Sequence, residues 1–198
     1  MPPQRKPWPM RWIALAIFLY IAGYTVVTLR YRKPGPEFQP YAQALERAAL
    51  AKAGFQHVPA RVERPADPQF GSPPPGLARA AGGLPPPLLA ALPAHTPLPS
   101  EIGRISAAPE ANRYLAYTIQ FGCVLPDNRR ELGSAEIFLK GDELYIVPDL
   151  ERLPGALLTR SRENVVLLTV PAGAIPAGRY RAVLIGQEAS KSWVLDVK

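Results

Sequence analysis

Residues 12–29, WIALAIFLYIAGYTVVTL, carry no charge. A helix that is apolar on every side has no wet face, so it suits lipid better than the surface of a soluble domain. A run of about this length crosses a hydrocarbon core of roughly 30 Å when its flanks help. Arg11 and Arg30 bracket it, and Trp8, Trp12 and Tyr31 stand where an aromatic belt would stand. The competing reading is a cleaved secretory signal, since basic residues precede the run. No Ala-x-Ala site closes it: Val26, Val27 and Leu29 continue past Ala22-Gly23, and Arg30, Arg32 and Lys33 then stop it. The expectation is an uncleaved anchor after a basic tail, residues 1–11. Small residues four apart, which would favour helix pairing in lipid, are missing from the run.

Charge excludes one class of partner. The net charge of +7 suggests a nucleic-acid binder until it is divided along the chain. Arg5, Lys6, Arg11, Arg30, Arg32 and Lys33 flank the apolar run, and no Asp or Glu precedes residue 34. The remainder holds 17 basic and 16 acidic residues, so nucleic acid is not an expected partner. Cys123 is the single cysteine, which rules out an internal disulfide framework.

Residues 34–99 hold 15 of the 25 prolines and residues 100–198 only six, which predicts a linker followed by a packed domain. In the juxtamembrane segment 34–56, Pro40 can open a helix over 41–53, with Gly54 as its cap and Phe55 folded back on the last turn. Tyr41, Ala44, Leu45 and Ala48 share one face of it. Over 57–100, Val58, Ala60 and Val62 alternate with His57, Arg61 and Glu63, an edge-strand pattern. The triple prolines 73–75 and 85–87 predict an extended spacer. Leu84, Leu88, Leu89 and Leu92 are more apolar than a spacer requires, and a short helix over 87–92 covering the domain fits them.

Residues 101–198 read as short strands without helices between them. Candidates are 102–107, 114–121, 135–139, 143–147, 157–160, 165–170, 179–185 and 192–197. In the second, Leu115, Tyr117, Ile119 and Phe121 share a face. Lys140-Gly141-Asp142 joins the third and fourth as a hairpin. So many strands at even spacing predict a β-sandwich or barrel.

Val165 to Val170 leads through Pro171-Ala-Gly-Ala-Ile-Pro-Ala to Gly178-Arg-Tyr180, and Trp193-Val-Leu-Asp-Val closes the chain. This passage resembles the E-to-F corner and last strand of immunoglobulin-like and fibronectin-like domains, in which a tyrosine hydroxyl ties the corner to the backbone. The resemblance implies a mainly β protein with an immunoglobulin-like β-sandwich over 101–198, of the disulfide-free bacterial kind. Such modules mostly work outside the cytoplasm. Lys and Arg tie on the two sides of the anchor, so the resemblance decides orientation: a single-pass inner-membrane protein of a bacterium, with its C-terminal domain in the periplasm.

Chemistry is sparse. His57 and His95 are the only histidines, and with one cysteine they give no metal-ligand spacing. A Cys123–His nucleophile pair would need a histidine from the linker. No cofactor is implied. Asp127, Asn128, Arg129, Arg130 and Glu131 form the most polar cluster, a solvated turn or a recognition loop. Glu143 and Tyr145 lie on a strand expected at a sheet edge, where a partner strand can add. The expected function is a non-catalytic interaction or assembly module of an envelope complex, with a protein partner and the membrane. A carbohydrate-type binding module is the alternative, carried by an exposed row of Tyr114, Tyr145 and Tyr180; an enzyme is the third.

Overall fold

The computed structural model describes residues 9–31, 40–92 and 97–198. Arg5, Lys6, Trp8, Arg32, Lys33 and His95 lie outside them, as do the side chains of Tyr31, Tyr41 and Ala44. The described residues fall into two units, divided between Pro40 and Tyr41.

Helix α1 covers Met10–Tyr31, about 33 Å at 1.5 Å per residue. It is long and apolar enough to cross a membrane, and none of its described side chains is buried in the protein. Its two threonines are satisfied within the helix. Thr25 donates to the carbonyl of Ile21 at 2.8 Å and Thr28 to that of Tyr24 at 2.7 Å. Neither hydroxyl therefore opposes an apolar environment.

The second unit opens with α2 (Pro40–Lys52). Gly54 ends it at φ +82°, and the Phe55 amide donates to the carbonyl of Leu50 at 3.0 Å, a left-handed cap that turns Phe55 inward. The chain continues through β1 (Gln56–Val58), β2 (Arg61–Glu63), β3 (Ala78–Ala81) and α3 (Pro86–Leu89). Then come β4 (Glu101–Ala107), β5 (Glu110–Ala111), β6 (Tyr117–Val124), β7 (Arg130–Lys140) and β8 (Glu143–Arg152). The last three are β9 (Glu163–Val170), β10 (Gly178–Leu184) and β11 (Ala189–Val197).

The protein is mainly β. All the described strands belong to one sheet, ordered β1-β7-β8-β10-β11-β4-β6-β9-β2, with β3 and β5 laid against β11. Its two outermost strands, β1 and β2, are separated only by Pro59 and Ala60, so the sheet must curl until its edges approach. Most neighbours are antiparallel. The exceptions are β8 with β10 and β11 with β4 and β5, which are parallel. The parallel β8–β10 pair departs from the all-antiparallel sheets that an immunoglobulin-like plan implies.

The curl encloses an inner core that includes Phe121, Ile137, Ile146, Leu168, Leu184 and Trp193. A second cluster lies on the outer face of β7, β8 and β10, where Phe138, Tyr145, Val147 and Val183 are covered by Leu50, Phe55, Leu88 and Leu98. Phe55 meets Phe138 and Tyr145 edge to face, with centroids 6.4 and 6.2 Å away, and the Lys140 ammonium stands 4.8 Å from its ring centre.

Packing against the sheet corrects the expected linker. The described residues of 57–92 and 97–100 do not run as a free spacer: Val58, Leu88 and Leu98 are buried, and Phe70 lies over Gly122 with the Arg104 guanidinium 5.3 Å from its ring centre. The expected short helix near 87–92 is α3, and its Leu88 is 0% exposed. The compact unit thus begins near residue 41 rather than at 101.

Most expected strands are present, and two differ. The strand expected from Tyr114 begins at Tyr117, because its partner β9 ends at Val170 and Pro171 has no amide to continue the ladder. Asn112 holds the preceding residues in a turn, accepting the Tyr114 amide on Oδ1 at 3.0 Å, so Leu115 is exposed rather than on the core face. Residues 157–160 form a loop, not a strand, after Pro154 and Gly155 turn the chain away from β8.

Candidate functional site

The polar cluster at Asp127, Asn128, Arg129, Arg130 and Glu131 lies between β6 and the start of β7. Asp127 organises it. Oδ1 accepts the Arg129 amide at 2.8 Å, closing an Asx turn, and Oδ2 pairs with the Arg130 guanidinium at 3.4 Å. Glu131 pairs with Arg64 at 3.0 Å, and Arg64 also donates to the Leu132 carbonyl. Asn128 and Arg129 are exposed; the other three are half-buried.

The structure brings a second loop, residues 153–162, against this one. The Leu153 amide donates to the Arg129 carbonyl at 2.8 Å and the Thr159 amide to the Asn128 carbonyl at 2.7 Å. Arg162 donates through Nε to the Leu125 carbonyl at 2.9 Å and through its terminal nitrogen to that of Pro126 at 3.1 Å. These bonds fix both loops to the ends of buried strands. Between them the chain presents Leu157, 60% exposed, and Leu158, 63% exposed. Sequence reading missed this pair by placing it on a strand. The signal was Pro154-Gly155 just before it, which marks a turn.

Glu143 and Tyr145 do not join this surface. They sit at the start of β8, whereas it is Arg152, at the far end of β8, that pairs with Arg130, roughly 30 Å along the strand. Nor is β8 an edge: β7 pairs with it on one side and β10 on the other. Tyr145 is 6% exposed, its hydroxyl donating to Glu143, and burial pushes that hydroxyl's pKa up to about 12. Tyr180 is also buried, its hydroxyl donating to the Pro176 carbonyl at 3.0 Å. Of the three tyrosines expected in an exposed row, only Tyr114 faces solvent.

The remaining chemical candidates stay apart. Cys123 is buried in the inner core on β6, and burial raises its thiol pKa to about 11. His57 is exposed on β1, its ring edge-on to Phe138 of the outer cluster, with centroids 5.8 Å apart. Thus the sheet separates Cys123 from the one described histidine. Among the described residues no three His, Cys, Asp or Glu side chains are grouped to hold a metal. A shallow hollow at the opposite end of the fold, lined by Asn112, Arg113, Leu115, Pro171 and Ile175, contains no converging acid or base.

Comparison with protein-family models, curated proteins and solved structures finds no match for this chain.

Proposed function

We propose that the protein is a membrane-anchored, non-catalytic interaction module of a bacterial envelope complex. In this reading α1 is an uncleaved inner-membrane anchor and Tyr41–Lys198 works in the periplasm. The supporting observation is the pair of pinned loops around Leu157 and Leu158: two exposed leucines held beside a polar turn offer an apolar patch with a polar rim. A protein partner would meet Asp127, Asn128 and Arg129 beside it. The Tyr180 corner and the β10–β11 hairpin support an immunoglobulin-like ancestry for the last third of the chain, while the parallel β8–β10 pair weighs against it. The carbohydrate-type alternative loses its support with Tyr145 and Tyr180 buried.

The test is genetic and chemical. Full-length protein should stay in the pellet after a carbonate wash. A phosphatase fused after Lys198 should be active, as a periplasmic C terminus requires. Replacing Cys123 with Ser and both His57 and His95 with Ala should leave the phenotype intact. A form exported without residues 12–29 should lose it, because tethering sets the local concentration at a membrane partner. A dead triple variant beside a working untethered domain would turn the reading toward an enzyme.

A further inference from the structure

We infer that loop 153–162 is a membrane-contact loop, seating Leu157 and Leu158 in the interface of an anionic bilayer. This rests on the reading of the protein as membrane-anchored and names one surface that its contact end meets.

Three observations carry it. The leucines are adjacent and exposed, and neither belongs to a buried cluster. The loop is held in place: Leu153, Thr159 and Arg162 are bonded to the carbonyls of Arg129, Asn128, Leu125 and Pro126. Its charge is positive on balance. Arg152, Arg160 and Arg162 stand against Glu151 and Glu163 at its ends, and Arg129 lies beside them. The neighbouring carboxylates Asp127 and Glu131 already face Arg130 and Arg64. Arg162 directs its donors to carbonyl oxygens, so its positive charge is left uncompensated by that contact.

An apolar tip among arginines is complementary to a headgroup region with acyl chains beneath it and negative charge above them. Two leucines can enter a bilayer interface only shallowly. Shallow insertion suffices when an anchor already holds the chain at the membrane and leaves Asp127 and Asn128 to a protein partner.

The experiment uses the full chain reconstituted into vesicles with no other protein, so its outcome is independent of whether an envelope partner exists. An environment-sensitive fluorophore is attached to Leu158→Cys; Cys123 is buried and does not compete. A second preparation carries the label at Ala172→Cys, in the loop at the opposite end of the fold. In vesicles of phosphatidylglycerol and phosphatidylcholine, the label at 158 should shift to the blue and be quenched by lipids with a nitroxide near the headgroup. The label at 172 should do neither. In phosphatidylcholine alone the signal at 158 should fade. Each exchange of Arg129, Arg152 or Arg160 for Gln should weaken the docking equilibrium roughly fivefold. Arg162 is spared because it holds the two loops together. Identical emission and quenching at 158 and 172, or quenching at 158 that ignores both phosphatidylglycerol and the arginine exchanges, would overturn the inference.

Discussion

Val58 and Val62 lie on opposite edges of the same sheet: Val58 pairs with Ile137 on β7 and Val62 with Leu168 on β9. One short stretch of chain therefore serves both edges. Val58 is fully buried in the inner core and Val62 packs against it. The stretch thus covers two ladders that would otherwise expose unpaired backbone groups, the usual starting point for aggregation.

A fragment of residues 101–198 should consequently fail as a soluble monomer, because it lacks β1, β2 and the cover over Phe138 and Tyr145. Residues 41–198 should give a cooperative β-rich melt. Leu88→Ala, made in the longer chain, should cost about 2–5 kcal/mol, as expected for a fully buried leucine. Equal melting of the two fragments would show that residues 41–100 contribute nothing to the fold.

Tyr180→Phe should remove the bond to the Pro176 carbonyl and nothing else, since the ring stays buried. Denaturant unfolding should show a loss of about 1 kcal/mol, the net value of one such bond. Trp193→Ala should cost about 3–5 kcal/mol, because its ring is 1% exposed in the inner core. A loss at Trp193 no larger than at Tyr180 would mean that the ring is not a core element.

Cys123 should resist thiol reagents at neutral pH in the folded protein and react at once in denaturant. Its thiol pKa is raised from 9.0 to about 11, chiefly by burial. Fast labelling of folded protein would show that the inner core opens near β6.

Alkali should destabilise the fold through Tyr117, alongside the buried Tyr145 and Cys123. Burial raises its hydroxyl from 10.0 to about 12, and that hydroxyl donates to the Ala108 carbonyl at 2.7 Å. The folded state therefore keeps a proton that the unfolded chain releases. The contribution is complete below pH 10 and is lost as pH rises toward 12, with a slope of up to about 1.4 kcal/mol per pH unit. Tyr117→Phe should flatten that part of the stability curve. An unchanged slope in the variant would assign the alkaline loss to other groups.

Alternation and turn residues made much of the fold readable. Glu163 to Val170 and Gly178 to Leu184 are found nearly where the pattern put them, as is the hairpin at Gly141, whose φ of +62° suits glycine. What alternation cannot show is which strands become neighbours. Nothing local says that β8 pairs with β10, yet that pairing turns Glu143 and Tyr145 from an edge into an interior strand. A weaker signal was there: Leu144-Tyr-Ile-Val147 is apolar without a break, as a strand covered on both faces should be. Proline content misled in the other direction. It predicted an extended spacer over 57–100, but Phe70, Leu88 and Leu98 between the prolines reach surfaces that only the folded sheet creates. The site was half readable. Asp127 to Glu131 announced a polar turn, whereas the leucine pair beside it depends on Thr159 and Asn128, which are distant in sequence and bonded in space.

Connectivity also fixes how the fold bears force. Any tension on α1 enters the domain through α2 and then β1, whose ladder with β7 has three residue pairs, whereas β6 and β9 share eight. The short ladder is the first part of the sheet in the line of load, with Leu50 and Phe55 packed against Phe138 beside it. The seam that covers the sheet edges is thus also its mechanical fuse: a hard pull would strip β1 first and leave the β6–β9 ladder standing.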